Sequence, residues 1–387
     1  QRAPVFIDAD ASVGAAASTM QQAGIGSVLI SGDLPGIITD RDLRGRVLAA
    51  GLGSEAPVSQ VMSRPVKTID ANAPIFAALQ LMLENNIHHL PVVDGTTIIG
   101  VISGTDLLRH QINNPLYLRR TLDQLQDPSA LGNYANEIAA LVEKLFTGGV
   151  SAAEIGRIVS SLNDALTRRL VYLGEQSFGA PPASFAWIVF GSEGRLEQAL
   201  LTDQDNALVY ESESALARSY FTALANYVVE ALIQVGFPPC AGGYMATNWC
   251  KPLSEWQELF RRHIQTPEPQ ALLDSAIFFD FRAVAGDLSL TSLEESLAGA
   301  RHEKLFLSHI IRAALELRPP LGFFNRIRTD YGKVDLKKGG IGPIVALARA
   351  AGLCAGSHER STLARLKAAG ASESLLTNEN ARMLRDI

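Results

Sequence analysis

Apolar and polar positions follow two rhythms along the chain, and the first rhythm occurs twice. Gly24-Ile-Gly-Ser-Val-Leu-Ile30 followed by Gly36-Ile-Ile-Thr-Asp-Arg-Asp-Leu43 parallels Asn86-Ile-His-His-Leu-Pro-Val-Val93 followed by Gly100-Val-Ile-Ser-Gly-Thr-Asp-Leu107. Upstream of each copy lies a similar lead-in, Pro4-Val-Phe-Ile-Asp-Ala-Asp-Ala-Ser-Val13 and Pro65-Val-Lys-Thr-Ile-Asp-Ala-Asn-Ala-Pro-Ile75. Each copy predicts a lead-in segment, an amphipathic helix, two short apolar strands and a closing helix, repeating after about sixty residues.

The second rhythm is helical. From Leu107 to about Gly179, apolar residues such as Ile138, Leu141, Val142 and Leu145, then Ile155, Ile158, Val159, Leu162 and Leu166, fall at three- and four-residue steps. Gly179-Ala-Pro-Pro-Ala183 breaks the pattern, and Ser184-Phe-Ala-Trp-Ile-Val-Phe190 is then a short aromatic-rich strand that opens a new domain. Further strands are predicted at Ala207-Leu-Val-Tyr210 and Ala276-Ile-Phe-Phe-Asp-Phe-Arg-Ala-Val284, with a helix from Tyr220 to Val235 between them. The loop Gly236-Phe-Pro-Pro-Cys-Ala-Gly-Gly-Tyr244 reads as a tight connection, with the shaping of a base or acceptor pocket as the alternative. From about residue 292 the pattern is mostly helical, interrupted at Arg318-Pro-Pro-Leu-Gly-Phe-Phe324 and Val334-Asp-Leu-Lys-Lys-Gly-Gly-Ile-Gly-Pro-Ile344. These breaks divide the chain into a repeat pair over 1–112, a helical linker over 113–180, an α/β core over 181–290 and a C-terminal helical bundle over 291–387.

Composition narrows the function classes. With 387 residues the chain is long enough for two or three domains, and 47% hydrophobic against 19% charged residues is ordinary globular content. The balance of 34 basic to 40 acidic residues, with no basic block, argues against a nucleic-acid partner. Cys240, Cys250 and Cys354 have no metal-type spacing and are odd in number, so they read as buried thiols of a reducing compartment. No apolar stretch reaches the roughly 18 to 20 residues that span a bilayer, and no basic-then-apolar leader opens the chain, so a soluble cytoplasmic protein is expected. The first residue, Gln1, is not a methionine, which is expected of a fragment.

A repeat whose second strand ends in Gly-hydrophobic-hydrophobic-Ser/Thr-x-x-Asp resembles the cystathionine-β-synthase (CBS) domain pair. The resemblance covers residues 1 to about 112 and implies a module that binds adenosine-containing ligands, the matching positions being Thr39 with Asp42 and Ser103 with Asp106. A hydroxyl beside free helix N–H groups suits a phosphate, and an aspartate accepts from ribose hydroxyls. Ser/Thr-x-x-Asp is also an ordinary helix-capping pattern, and both readings stand. His88 and His89 point to opposite faces and read as one packed and one lining residue rather than as a metal site.

Chemistry concentrates in Phe190-Gly-Ser-Glu-Gly-Arg-Leu-Glu-Gln-Ala-Leu-Leu-Thr-Asp-Gln-Asp-Asn206. On a strand, residues i and i+2 share a face, so Asp203 and Asp205 present two carboxylates side by side. Such a pair suits Mg2+, which is commonly held by one or two carboxylates plus substrate phosphates. Gly191 lets the backbone approach a triphosphate, Ser192 offers a hydroxyl, the helix after them offers N–H groups, and Arg195 adds a planar donor. Glu197 and Gln198 have less defined roles. Asp-x-Asp and Gly-Ser are each common alone as turn and cap. Their order here, between two apolar strands, resembles the layout of polymerase-β-like nucleotidyltransferases, which implies an α/β core with a mixed sheet.

The wider stretch resembles a bacterial family of nucleotidyltransferases found behind CBS pairs and, more distantly, the PII-protein uridylyltransferases and glutamine-synthetase adenylyltransferases, which modify proteins with a nucleotide. This resemblance covers about residues 135 to 387. It implies a third metal carboxylate from a later strand, for which Asp280, followed by Arg282, is the candidate; a plain Asp280–Arg282 pair is the alternative. It also implies that Lys337, in Asp-Leu-Lys-Lys-Gly-Gly, reaches a nucleotide phosphate with Asp335 orienting it, where a solvated surface lysine is the alternative. The expected activity is Mg2+-dependent transfer of a nucleoside monophosphate from a triphosphate to an acceptor hydroxyl, under control of an adenosine nucleotide at the CBS pair. A non-catalytic nucleotide-sensing signal-transduction protein is the alternative. A homodimer is expected, since CBS pairs often associate in twos.

Overall fold

The sequence repeat is a repeat in space because both copies end their first helix in the same way. Ser12 caps the helix Val13–Ala23, which ends at Gly24 with φ 60°, and the helix Ile75–Asn85 ends at Asn86 with φ 51°. Glycine and asparagine are the residues that take this left-handed conformation most readily. Each copy then forms a three-stranded sheet. In the first, β1 (Phe6–Ile7) runs parallel to β2 (Ser27–Ile30), which pairs antiparallel with β3 (Gly36–Thr39). In the second, β4 (Ile69–Asp70), β5 (His89–Asp94) and β6 (Thr97–Ser103) repeat the arrangement. Val13, Ala16 and Met20, spaced to share one helix face, pack on Val28, Ile30 and Ile38.

The structure, a computed structural model, describes residues 3–32, 35–108, 115–198, 200, 203–317 and 336–386. The chain divides into two units, Gln1–Thr121, which holds the repeat, and Leu122–Ile387. The second unit is built on a mixed sheet in the order β10-β7-β8-β9, from β7 (Phe185–Val189), β8 (Asn206–Tyr210), β9 (Cys250–Pro252) and β10 (Arg282–Gly286). Strands β7 and β8 are buried throughout. Their alternate residues serve opposite faces. Ala186, Ile188, Ala207 and Val209 join a core with Trp256, Phe260 and Phe278, while Phe185 and Tyr210 pack on Phe221 of the helix Ala215–Gln234. The 27-residue helix Ala152–Phe178, opened by a Ser151/Glu154 capping box, packs on that helix and on β10. From Leu122 onward, therefore, the helical segment belongs to the second unit. The helices Lys304–Glu316, Gly342–Cys354, Thr362–Ser372 and Asn378–Asp386 follow in packed succession.

One predicted strand is corrected. Ala276–Phe278 close the helix Pro269–Phe278, and the strand begins only at Arg282. An unbroken apolar run does not separate a buried helix end from a strand by periodicity, and here proline in the first turn starts a helix. The interruption at Arg318–Phe324, together with Val334 and Asp335, lies outside the described residues. No helix among the described residues is long and apolar enough to cross a membrane.

Candidate functional site

Antiparallel pairing of β7 with β8 sets the end of one beside the start of the other: Val189 faces Asn206, and Phe190 N donates to Asp205 O at 3.0 Å. The turn after β7 thereby lies against the residues before β8. Gly191 takes φ 55°, and a Cβ there would sit 3.3 Å from Asp205 Oδ2, so glycine both makes the turn and leaves room for the carboxylate. Ser192 is partly exposed in the same turn. The helix expected after it is a single turn, Gly191–Gly194.

Asp203 and Asp205 flank Gln204, whose backbone is bridged to the loop that follows the helix Ala215–Gln234. Gln204 N donates to Pro238 O at 3.1 Å, Asn206 N to Tyr244 O at 2.9 Å, and Ala246 N to Asn206 Oδ1 at 2.8 Å. The loop is thus laced along the Asp-x-Asp segment, and it delivers Cys240. The ligand atoms of Asp203, Asp205 and Cys240 all lie within 4.8 Å of one another. Burial pushes the Asp205 carboxyl up; a hydrogen bond from the Cys240 thiol pulls it down, the Asp203 charge adds to the rise, and Lys337 and Arg195 oppose it. Lys337 is exposed at the start of the turn Lys337–Ile341, so the C-terminal helices bring a cation toward this carboxylate. Two carboxylates and a sulfur converging on one point fit a divalent cation by the chemistry of the donor set.

Asp280 is not part of that set. It is fully buried, and three guanidiniums hold it: Arg195 Nη1, Arg349 Nη2 and Arg365 Nη1, each at 2.6 Å. Burial opposes its charge, but Arg349, Arg365 and Arg195 together hold the carboxyl well below the usual range. The expected third metal carboxylate is therefore a structural anion. Nor does it pair with Arg282, which forms a two-pronged bond to Asp164 on the helix Ala152–Phe178, at 2.7 and 2.9 Å. The same hub removes Arg195 from the phosphate role, since it is 9% exposed and divided between Asp280 and Glu197. Glu197 in turn accepts from the backbone and hydroxyl of Thr362, at the start of the helix Thr362–Ser372. Gln198 accepts from Asn163 of the helix Ala152–Phe178. Arg195, Glu197 and Gln198 thus fasten the signature loop to its surroundings.

Sequence reasoning missed Cys240, Arg349, Arg365 and Glu193. Glu193 is buried beside Asp164 and Arg282; burial first, then the Asp164 charge, push its carboxyl up to about 8 against the pull of Arg282. The Gly-Arg step of the motif was the one available signal: a Cβ on Gly194 would collide with the backbone oxygen of Asp280, so this glycine marks a close approach.

In the first unit, both Ser/Thr-x-x-Asp pairs are capping boxes. Asp42 Oδ2 accepts from Thr39 N at 3.0 Å and Oγ1 at 2.8 Å, and Asp106 Oδ2 accepts from Ser103 N at 2.9 Å and Oγ at 2.6 Å. The second pair also lines a cleft of about 320 Å3 between the repeats, with Val5, Ile25, Asp40 and His89. His89 lines this cleft, as expected of one of the two histidines, whereas His88 is exposed rather than packed. Burial, then the charge of His88, lower the His89 pKa against Asp40, Asp106 and Asp42.

Comparison with known proteins agrees with this layout. Residues 1–49 and 58–113 match the family described as "CBS domain", 136–270 that described as "Putative nucleotidyltransferase DUF294", and 304–386 that described as "Putative nucleotidyltransferase substrate binding domain". The CBS domain-containing protein YhcV of Bacillus subtilis is 37% identical over 101 residues, 26% of this chain and 72% of that protein. Hypoxic response protein 1 of Mycobacterium tuberculosis is 35% identical over 100 residues, 25% of this chain and 70% of that protein. Among solved structures, a CBS-domain protein from Agrobacterium tumefaciens is 30% identical, covering 29% of this chain and 91% of its own, with a TM-score of 0.27.

Proposed function

The chain belongs to the CBS-domain proteins that carry a nucleotidyltransferase domain with its substrate-binding partner, and on that premise we propose that it transfers a nucleoside monophosphate from a triphosphate to an acceptor hydroxyl with the help of a divalent cation. The observation that carries this reading is the convergence of the Asp203 and Asp205 carboxylates, with Asp205 Oδ2 set against the Gly191 turn. A bound divalent cation would neutralise charge on the triphosphate and on the attacking and leaving oxygens. The chain's own residues do the rest. Gly191 lets the backbone come close to the phosphates, Ser192 offers them a hydroxyl, and Lys337 sets a positive charge on the same side. Arg195 and Glu197 keep the turn in register with the C-terminal helices. In the first unit, the cleft lined by Ser103 and Asp106 would take an adenosine nucleotide: apolar Val5 and Ile25 suit a base, and the partly exposed hydroxyl and carboxylate suit ribose and phosphate.

Calorimetric titration of a triphosphate into the full chain with a divalent cation present tests the reading. Binding is expected, and it is lost with a chelator and in the double variant Asp203→Asn, Asp205→Asn. Unchanged binding in that variant would overturn it. The absence of a third carboxylate from the cluster among the described residues favours a second reading, a nucleotide sensor without turnover. Incubation with labelled triphosphates and cell extract separates the two, since label on an acceptor requires transfer.

A further inference from the structure

We propose that Cys240 is a ligand of the cation bound by Asp203 and Asp205, and that its sulfur makes the site prefer Co2+ or Zn2+ over Mg2+. The inference rests on the reading of the two aspartates as metal carboxylates and goes beyond it in naming the third donor and the class of ion. Asp203, Asp205 and Cys240 are, among the described residues, the one group of three such side chains whose ligand atoms lie within 4.8 Å of one another. The place that a third carboxylate would take is not filled by Asp280, which is enclosed by Arg195, Arg349 and Arg365.

The backbone holds the sulfur where it is. The parallel bridge Gln204↔Pro239 sets Cys240 level with Asp205, and the bonds from Gln204 N to Pro238 O and from Asn206 N to Tyr244 O fix the loop on both sides of it. Cys240 is 8% exposed, and its sulfur lies within 4.8 Å of the carboxylate ligand atoms of Asp203 and Asp205. A cation bound there by the thiolate would displace the thiol proton, which passes to solvent. Mg2+ is a hard ion that prefers an all-oxygen octahedron, whereas thiolate is a soft donor suited to Zn2+ and to ions later in the first transition row. An Asp-Asp-Cys set therefore discriminates against Mg2+.

The test uses the full chain, freed of metal and titrated with Co2+, with and without a non-hydrolysable triphosphate. A sulfur-to-cobalt charge-transfer band in the near ultraviolet is expected. It disappears in Cys240→Ser and persists in Cys250→Ser and Cys354→Ser. Competition with Mg2+ should show the ratio of Co2+ to Mg2+ affinity falling by about tenfold or more in Cys240→Ser. Cys240→Asp, which rebuilds an all-oxygen set, should lower the ratio further. Co2+ binding that depends on Asp203 and Asp205 but shows no charge-transfer band in the unaltered chain overturns the proposal and leaves the aspartate reading standing. So does a band that survives Cys240→Ser. Co2+ binding indifferent to Asp203→Asn with Asp205→Asn removes both. The band is read on the unaltered chain, so a poorly folding variant does not decide the outcome.

Discussion

Replacing Asp280 by asparagine removes one charge and almost no volume, so it separates the electrostatics of the buried hub from its packing. The carboxylate has no exposed surface, and its partners Arg195, Arg349 and Arg365 have side chains only 10%, 9% and 5% exposed. Removing one partner of a buried ion pair costs about 3–5 kcal/mol, because the charge left behind has lost both water and counter-ion. Here three guanidiniums would face one neutral amide, with Glu197 still bonded to Arg195. A loss of about 4 kcal/mol is expected. At roughly 2–4 °C per kcal/mol for a domain of this size, the second unit should melt roughly 8–16 °C lower. Trp187, Trp249 and Trp256 all lie in that unit, so tryptophan fluorescence follows its unfolding without interference from the first.

The measurement is made with a chelator present, so that no cation contributes, and repeated across pH. A carboxyl whose folded pKa is depressed contributes its full stabilisation above the unfolded value of about 3.9 and loses it as pH falls toward the folded one. The difference between the unaltered chain and Asp280→Asn should therefore hold steady from about pH 8 to about pH 5 and narrow below about pH 4. A difference under about 1 kcal/mol at neutral pH, or one that widens on acidification, would refute the assignment of Asp280 as the anion that holds the hub together.

Two further outcomes follow from the same region. Glu193 behaves in the opposite sense: its folded pKa is pushed up to about 8, so the folded chain holds a proton that the unfolded chain has released. Stability should fall by as much as about 1.4 kcal/mol per pH unit as pH rises from about 5 to about 8, and Glu193→Gln should flatten that slope in denaturant titrations; an unchanged slope counts against the burial of a protonated carboxyl there. Gly191→Ala forces a side chain into the left-handed region at φ 55° and toward Asp205 Oδ2. A loss of about 1–2 kcal/mol is expected by chemical denaturation, with weaker divalent-cation binding by calorimetry, and a variant as stable as the unaltered chain would show that the turn is not so constrained.

Features set by neighbours in sequence were legible without a structure. The repeat could be aligned at Gly24 and Asn86 because helix termination in the left-handed region selects residue type locally. Strands β7 and β8 were visible as apolar runs between turn-forming residues. The strand predicted over 276–284 failed for the complementary reason. Ala276, Ile277, Phe278 and Phe279 are apolar without a break, so that stretch carries no polar phase from which a helix end and a strand could be told apart.

The site divides along the same line. Asp203 and Asp205 sit two residues apart, and their shared direction follows from the period of an extended backbone alone. Asp280 read as a third metal carboxylate, with a pair to Arg282, close by in sequence, as the alternative. Its actual partners lie 85, 69 and 85 residues away, and those of Arg282, Asp164 and the Glu193 carbonyl, lie 118 and 89 away, separations that leave no mark on any local pattern. Cys240 was hidden in another way. Its loop is held to Gln204 and Asn206 mainly through backbone atoms, which every residue but proline offers alike, so Pro-Pro and Gly-Gly advertised a turn and nothing advertised where the turn would lie. Which side chain joins an Asp-x-Asp pair in space is thus decided by tertiary hydrogen bonding, even where the pair itself can be read from the sequence. In this chain that hydrogen bonding brings the Cys240 sulfur within 4.8 Å of both aspartates.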